Sequence, residues 1–386
     1  MFKEKMHKDN YSNKMGTEVL DFTFIKRWDR GRMRKVAMSY AFLLVLTVFF
    51  LSSGSSWAVI SISNIEELQK IGNDAGYPLN GEYELTQDID ASDTVNWNGG
   101  AGFTPIGTSS NPFTGKFDGN GHKITGLYIN QSSTDYIGLF GYIGSGSEVK
   151  NIGIENAMVS GDGYVGGLVG YNNEGTVSNC YSTGAVYGST WDVGGLVSWN
   201  YGTVSGCYST GSVSGVDDVG GLVGDNDGGT VSNSFAMGSV TGSGDSIGGL
   251  IGRLWSGSVT NTYSTGLVGG SGGNKGGLIG YIETSNNPTV TSSYWDTQTS
   301  GMTTSAGGTG KTTAQMKQQS TFIGWDFTNI WGIIENNTYP YLLWQYMVPD
   351  VVGMSQANAE SAITGVGLTV GTISQQCSDT VPAGSV

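Results

Sequence analysis

One line recurs through this chain. Gly166 to Gly184 reads GGLVGYNNEGTVSNCYSTG, and near copies follow as GGLVSWNYGTVSGCYSTG, GGLVGDNDGGTVSNSFAMG and GGLIGRLWSGSVTNTYSTG. The GGL glycines open at Gly166, Gly194, Gly220, Gly248 and Gly276, in steps of 28, 26, 28 and 28 residues. An earlier, looser copy is IGLFG at Ile137–Gly141. Self-similarity at a period of about 20–50 residues means a solenoid, a propeller or an array, and it outranks every shorter motif.

Within each unit three segments read as extended: VGGLVG, TVSNCYS and its copies, and a Val after a Gly at Val186, Val213, Val240 and Val268. Gly, Asn, Asp and Ser lie between them and turn the chain. Gly in a helix interior costs about 1 kcal/mol relative to Ala, and no unit has a glycine-free helical stretch. A propeller blade needs four strands and about 40 residues or more. One coil of a parallel β-helix fits 26 to 28 residues better. The fold expected is therefore all-β, a parallel solenoid of stacked coils with short capping helices. Gly167–Leu168, Gly195–Leu196, Gly221–Leu222, Gly249–Leu250 and Gly277–Leu278 form its structural repeat, the leucines making one interior ladder. Val177, Val204, Val231 and Val259 form a second. Tyr181, Tyr208, Phe235, Tyr263 and Tyr294 make an aromatic stack whose facing is open, because a bend at Asn179 would reverse the alternation.

The boundaries follow from composition. Residues 1–58 are an extension plus a secretory signal, the signal proper being 33–58: Arg32, Arg34 and Lys35 precede AFLLVLTVFFL, and Ser56 and Ala58 fit a cleavage site. A membrane anchor is the alternative, although the run is short for a span of about 20 residues. Residues 59–136 hold an N-terminal cap and the first coils, with SNIEELQKIG at 63–72 as a covering helix capped by Ser63 or Asn64. Residues 137–300 hold the repeats. Residues 301–347 form a C-terminal cap, with TTAQMKQQ as a short helix and Trp325, Phe327, Trp331, Tyr339, Tyr341 and Trp344 as an aromatic plug on the last coil or a sugar-stacking platform.

The five GGL-type copies, with FTGKFDGNGHKITGLYI before them and WDF…W…YPYL after them, resemble the GLUG-repeat family of bacterial secreted and surface proteins over residues 60–345. The resemblance implies a right-handed parallel β-helix and brings no catalytic residues. VPDVVGM followed by an Ala-rich helix from Ser355 makes residues 348–386 resemble a PASTA module, a small α+β extracytoplasmic module of which some members bind peptidoglycan fragments. The stretch reads as a truncated module, since the family's final third has no counterpart in it.

Charge narrows the partners. Of 18 Lys and Arg and 32 Asp and Glu, residues 1–58 hold 10 and 5, which leaves the body 8 basic and 27 acidic residues, a net of −19. Such a surface repels phosphate backbones and anionic lipids, so nucleic acid is excluded and membrane contact is left to the signal peptide. Cys180, Cys207 and Cys377 are no disulfide framework. Cys180 and Cys207 would stack about 4.8 Å apart, within disulfide reach; a reduced pair in a ladder continued by Ser234 and Thr262 is the plainer expectation.

Chemistry is sparse. Of two histidines, His7 precedes the signal and His122 sits in a Gly-rich turn near Asp118. No H-E-x-x-H occurs, and GGTGKTT at 307–313 lacks phosphate-loop spacing. Asp192, Asp217, Asp218 and Asp245 precede successive GGL copies and are candidates for a stacked acidic stripe holding Ca²⁺, although the Gly–Asp calcium nonapeptide is missing. Solvated turn residues are the alternative. The expectation is a non-enzymatic bacterial protein, secreted or on the cell surface, with no catalytic residues and no cofactor beyond Ca²⁺. It would bind an extracellular glycan, peptidoglycan or a host or neighbour surface. A polysaccharide-processing β-helix enzyme and a passive stalk are the other classes. Convergent carboxylates across neighbouring coils would favour the enzyme.

Overall fold

In the computed structural model the described residues are 58–346, 351, 354–365, 370, 371 and 373. The signal up to Trp57, Cys377 and most of the PASTA-like segment lie outside them. The described chain is a parallel β-solenoid. Its strands align into sheets of nine, six, five, six and nine members, each running along the stack. One coil carries strands Val165–Gly166, Val169–Asn172, Thr176–Ser178, Tyr181–Ser182 and Ala185–Gly188. The next coil pairs with it in parallel and in register: Val165 with Val193, Val169 with Val197, Val177 with Val204, Tyr181 with Tyr208 and Val186 with Val213.

Three extended segments per unit were expected, and the coils that open at Gly166, Gly194, Gly220 and Gly248 have five strands each. The chain breaks two segments at corners. In one, Asn179 takes a left-handed conformation, φ 52°, as do Asn151, Asn233 and Asn261, with Gly206 in the same place at φ 61°. Asn and Gly reach this region at least cost. The corner reverses the alternation: Val177 and Cys180 are buried, whereas Tyr181 points outward. In the other, the Gly–Gly–Leu turn passes close to the adjacent coil. A Cβ on Gly167 would lie 2.5 Å from the Gly195 carbonyl oxygen. The Leu168 N–H donates to the Leu196 carbonyl at 2.9 Å, and Leu196 to Leu222 and Leu222 to Leu250 repeat the bond at 3.0 and 2.9 Å.

The interior is filled column by column. Leu168, Leu196, Leu222, Leu250 and Leu278 are fully buried, as are Val177, Val204, Val231 and Val259. Burying each such side chain contributes about 1.5–3 kcal/mol. One column is polar. Asn172 Nδ2 donates to Asn200 Oδ1 at 2.8 Å, and Asn200 Nδ2 to Asn226 Oδ1 at 2.7 Å, so three buried amides satisfy one another. Cys180 and Cys207 are free, buried thiols. Their column continues with Ser234, Thr262 and Ser293, and the Cys207 N–H donates to Ser234 Oγ at 3.0 Å.

Both ends are covered. Ile60–Ile62 pairs with the strand Glu82–Leu85, and helix Ile65–Lys70 buries Ile65 and Leu68 beside it. Asn64 is the N-cap, its side-chain oxygen accepting from the Glu67 N–H, and the Glu67 carboxylate accepts from the Ser63 N–H at 2.8 Å. At the other end Thr309–Lys311 adds a last rung against Tyr294–Asp296. Thr312 then caps helix Thr313–Met316.

The C-terminal aromatics do more than plug the last coil. The aromatic column faces outward, with ring centroids 4.9, 5.0 and 4.9 Å apart from Tyr181 through Tyr208 and Phe235 to Tyr263. The segment after Met316 folds back along this column as a strap. Trp325 Nε1 donates to the Ser292 carbonyl at the last coil, and Trp344 Nε1 donates to the Gly206 carbonyl farther back at 2.9 Å. Trp331 is fully buried between Phe235, Tyr263 and Trp325. The physical reason is exposure: an outward column of stacked rings is apolar surface that needs a cover. Asp296 ties the strap down. It accepts from Tyr339 Oη at 2.6 Å, Thr313 Oγ1 at 2.7 Å and the Gln298 N–H at 2.8 Å. Burial alone would raise its pKa, but the Tyr339 and Thr313 hydroxyls bring it below the ordinary carboxylate value.

Two outcomes follow. Leu222→Asp places an unpaired charge in an interior ladder and costs several kcal/mol, whereas Ser232→Asp, at a half-buried outer position, stays near 0.5 kcal/mol. Limited proteolysis of Leu222→Asp should open new cuts between about Gly194 and Gly252, in the coils flanking the lesion. Equal resistance of both variants would refute the register. Asp296, with its folded pKa lowered, stabilises the strap above the unfolded carboxylate pKa of about 4, and that stability disappears as pH falls through its folded value. Strap opening followed by Trp fluorescence should therefore set in on acidification below about pH 4, and Asp296→Asn should already be loosened at neutral pH with this acid step reduced.

Candidate functional site

The strand after each GGL turn has one outward position that the repeat does not hold constant. Tyr142, Tyr171, Trp199, Asp225, Arg253 and Tyr281 occupy it in successive coils. Tyr142, Tyr171 and Trp199 stack face to face, with centroids 4.7 and 5.7 Å apart. Across the preceding corner, Tyr136 stacks on Tyr164 at 4.9 Å, and Tyr164 lies 5.6 Å from Trp199. Downstream the aromatic wall gives way to ions. A cavity of about 460 Å³ opens there, lined by Tyr164, Trp191, Trp199, Asp218, Arg253 and Asp245 among others.

The four aspartates singled out in the sequence fall into two columns. Asp192 and Asp218 sit at the left-handed corner, φ 53° and 52°, in the column of Tyr136 and Tyr164, and both are buried. Asp217 pairs with Trp191 in the neighbouring register and stays half-buried, and the Asp245 N–H donates to Asp217 Oδ1 while the Asp245 side chain is exposed. The residue that completes the cluster was not anticipated: Asp225, fully buried, follows Asp218 by seven positions and reaches the same spot around the Gly–Gly–Leu turn. One carboxylate oxygen from each of Asp192, Asp218 and Asp225 lies within 4.8 Å of the others. The signal was present in the aligned copies GGLVGYN, GGLVSWN, GGLVGDN and GGLIGRL, whose sixth residues are Tyr171, Trp199, Asp225 and Arg253.

Arg253 closes this cluster. Its Nη1 lies 3.1 Å from Asp218 Oδ2, and its Nε donates to Asp225 Oδ2 at 2.9 Å, with Nη2 on the same oxygen. The guanidinium lies between the rings of Trp199 and Trp255, 5.8 and 5.3 Å from their centroids. Burial pushes Asp225 up to about 7, with Arg253 pulling the other way. Burial, then Asp225 and Asp218, hold Asp192 well above the carboxylate range. Asp218 is raised by burial against the opposing pull of Arg253. Burial works against the Arg253 cation, but its bond to Asp225 leaves it more strongly protonated than usual.

The remaining sequence candidates lie elsewhere. His122 Nδ1 contacts Asp88 Oδ1 at 3.1 Å at a partly exposed turn, while Asp118 closes its own turn by accepting from the Asn120 N–H. GGTGKTT forms the last rung and the Thr312 cap. Among the described residues no helix is long and apolar enough to cross a membrane.

Comparison with known proteins agrees with this architecture. The GLUG motif matches residues 161–187 and 189–214, and the PASTA domain matches residues 346–386. Halomucin of Haloquadratum walsbyi is 39% identical over 157 residues, 39% of this chain and 2% of halomucin. A candidate Gly-rich membrane protein of Evansella cellulosilytica is 41% identical over 100 residues, 25% of this chain and 11% of that protein. The chain thus spans a small fraction of the curated relatives it matches. The solved structure of a candidate immunoglobulin A1 protease from Bacteroides ovatus has a TM-score of 0.58 at 22% identity, covering 74% of this chain and 92% of that one, a likeness of fold alone. The chain is a β-solenoid in which residues 161–187 and 189–214 match the GLUG motif, followed by sequence that matches the PASTA domain.

Proposed function

We propose that this protein is a non-enzymatic scaffold displayed outside the membrane, whose lateral groove binds a neutral glycan. The observation that carries the reading is the groove itself, in which Tyr164, Trp191 and Trp199 stand beside Asp217, Asp245 and Arg253 across four coils. Sugars present C–H faces to aromatic rings and hydroxyls to charged groups, and this lining offers both. Tyr142, Tyr171 and Trp199 spend their ring faces on one another. Trp191 enters no ring pair among the described residues and is 48% exposed, so its face is the open platform. The acidic body disfavours polyanionic ligands. Placement outside the membrane draws support from the mucin-named and membrane-named relatives and the PASTA match.

A glycan-processing reading draws on the convergence of Asp192, Asp218 and Asp225 across neighbouring coils, all three with raised pKa values. Paired carboxylates in unlike environments are what glycoside hydrolysis uses. Against it, Asp192 and Asp225 are 2% and 0% exposed, and Arg253 already holds one oxygen of Asp225 and one of Asp218.

A glycan array probed with the purified protein separates these readings. The expected outcome is retention of neutral glycans, with Trp191→Ala weakening binding about tenfold, the loss of one stacking contact of about 1.4 kcal/mol. Unchanged binding by Trp191→Ala would refute the groove as the site. Release of reducing ends from a bound glycan, lost in Asp225→Asn, would establish the enzymatic reading instead.

A further inference from the structure

We propose that Asp192, Asp218 and Asp225 form a binding site for one Ca²⁺ ion, a role that does not rest on the glycan reading because the ion would be held by buried oxygens and not by the aromatic wall. Three observations converge. A carboxylate oxygen of each residue lies within 4.8 Å of the other two, close enough for one ion to bridge all three with Ca–O bonds of about 2.3–2.6 Å.

The oxygens are also unevenly used. Arg253 takes Oδ2 of Asp225 and Oδ2 of Asp218. Oδ1 of Asp192 and Oδ1 of Asp225 are buried and have no hydrogen-bond partner among the described residues. An unpaired buried acceptor costs about 1–3 kcal/mol, more when charged, and two side by side in one cluster call for a shared cation. Asp192 and Asp225 are 2% and 0% exposed, so these are not solvated surface carboxylates.

Charge gives the valence. Three carboxylates facing one guanidinium leave a formal −2 when all are ionised, which a divalent cation neutralises. Trp191, Trp199 and Trp255 line or flank the cluster and bring no charge, and the next aspartates, Asp217 and Asp245, add only negative charge. All-oxygen donors select a hard cation. With three protein carboxylates in a fixed wall, Ca²⁺, which accepts irregular geometry and completes its shell with water, suits the cluster better than Mg²⁺ with its octahedral demand. The open cavity beside Asp192 and Asp218 supplies the entry path and that water.

The test uses the full purified chain, stripped with chelator and titrated with CaCl₂ by calorimetry, and in parallel with Tb³⁺ under tryptophan excitation, since Trp191 and Trp199 line the cavity. The expected result is one saturable ion per chain, Tb³⁺ emission displaced by Ca²⁺, and a melting temperature raised by Ca²⁺ through preferential binding to the folded state. Asp192→Asn and Asp225→Asn should each weaken binding about tenfold or more, and Asp217→Asn should leave it within about twofold. If Asp225→Asn does not fold, Asp192→Asn carries the comparison alone. Absence of saturable binding by the folded wild type overturns the proposal. So does a folded Asp192→Asn that binds as the wild type does.

Discussion

Everything in this molecule depends on the hydrogen-bonded ladder that joins each coil to the next. At the Gly–Gly–Leu turn the Leu N–H of one coil donates to the Leu carbonyl of the following coil, at 2.8–3.0 Å through four successive steps. Such a ladder tolerates no drift, because a slip of one residue would move every side chain to the other face. It also brings the backbones so close that the turn needs glycine: a Cβ at Gly167 would meet both the Gly195 carbonyl and Ser182 Oγ at 2.5 Å. The repetition of sequence is the consequence of this spacing. Whatever occupies a position meets its own counterpart about 4.8 Å away, and only a residue that packs well on its own kind can be repeated there.

That rule explains the columns, and also where chemistry arises. Leu on Leu and Val on Val make the core. Asn on Asn works because an amide both donates and accepts, so each side chain in the Asn172–Asn200–Asn226 column satisfies the next. A carboxylate cannot do this, since it only accepts. Asp192 above Asp218, with Asp225 around the turn, is a like-charge stack in a place where burial raises the cost of each charge. The column escapes only by bringing in the opposite charge, and Arg253, the sole arginine after Arg34, stands one coil beyond Asp225 and reaches back to it. Departures from the repeat are therefore concentrated at one outward position and one corner, and these two columns form the groove.

The period, the interior Leu and Val ladders, the N-terminal covering helix and the reduced cysteine column were legible from spacing and residue type alone. The coil's five strands were not, because a left-handed Asn breaks a segment without any change in composition. Asn179 was recognised as a bend that could reverse the alternation, and its φ of 52° puts Cys180 inside and Tyr181 outside. Asp225 was missed for a related reason. Asp192, Asp217, Asp218 and Asp245 lie just before the GGL turns and look alike in sequence, whereas Asp225 lies just after one; the turn folds those two strands against each other, so proximity in space cuts across the apparent grouping.

The strap shows how far a column can extend before packing stops it. The outward rings begin at Tyr181, and the column position one coil earlier is Gly153. Before that it is Lys123, whose Nζ pairs with Glu155 at 3.0 Å. The strap's last described ring, Trp344, lies 6.3 Å from Tyr181 and 5.8 Å from Tyr208, and its Nε1 is fixed to Gly206. Tyr181 itself turns its hydroxyl to Glu155 at 2.8 Å, the same carboxylate that pairs with Lys123. The column thus changes from aromatic to glycine to lysine where the cover ends. An added ring at position 153 would meet the Tyr181 ring directly and have no tryptophan above it. Along this face the composition of the column matches the reach of the strap: rings where it covers them, glycine and then lysine where it does not.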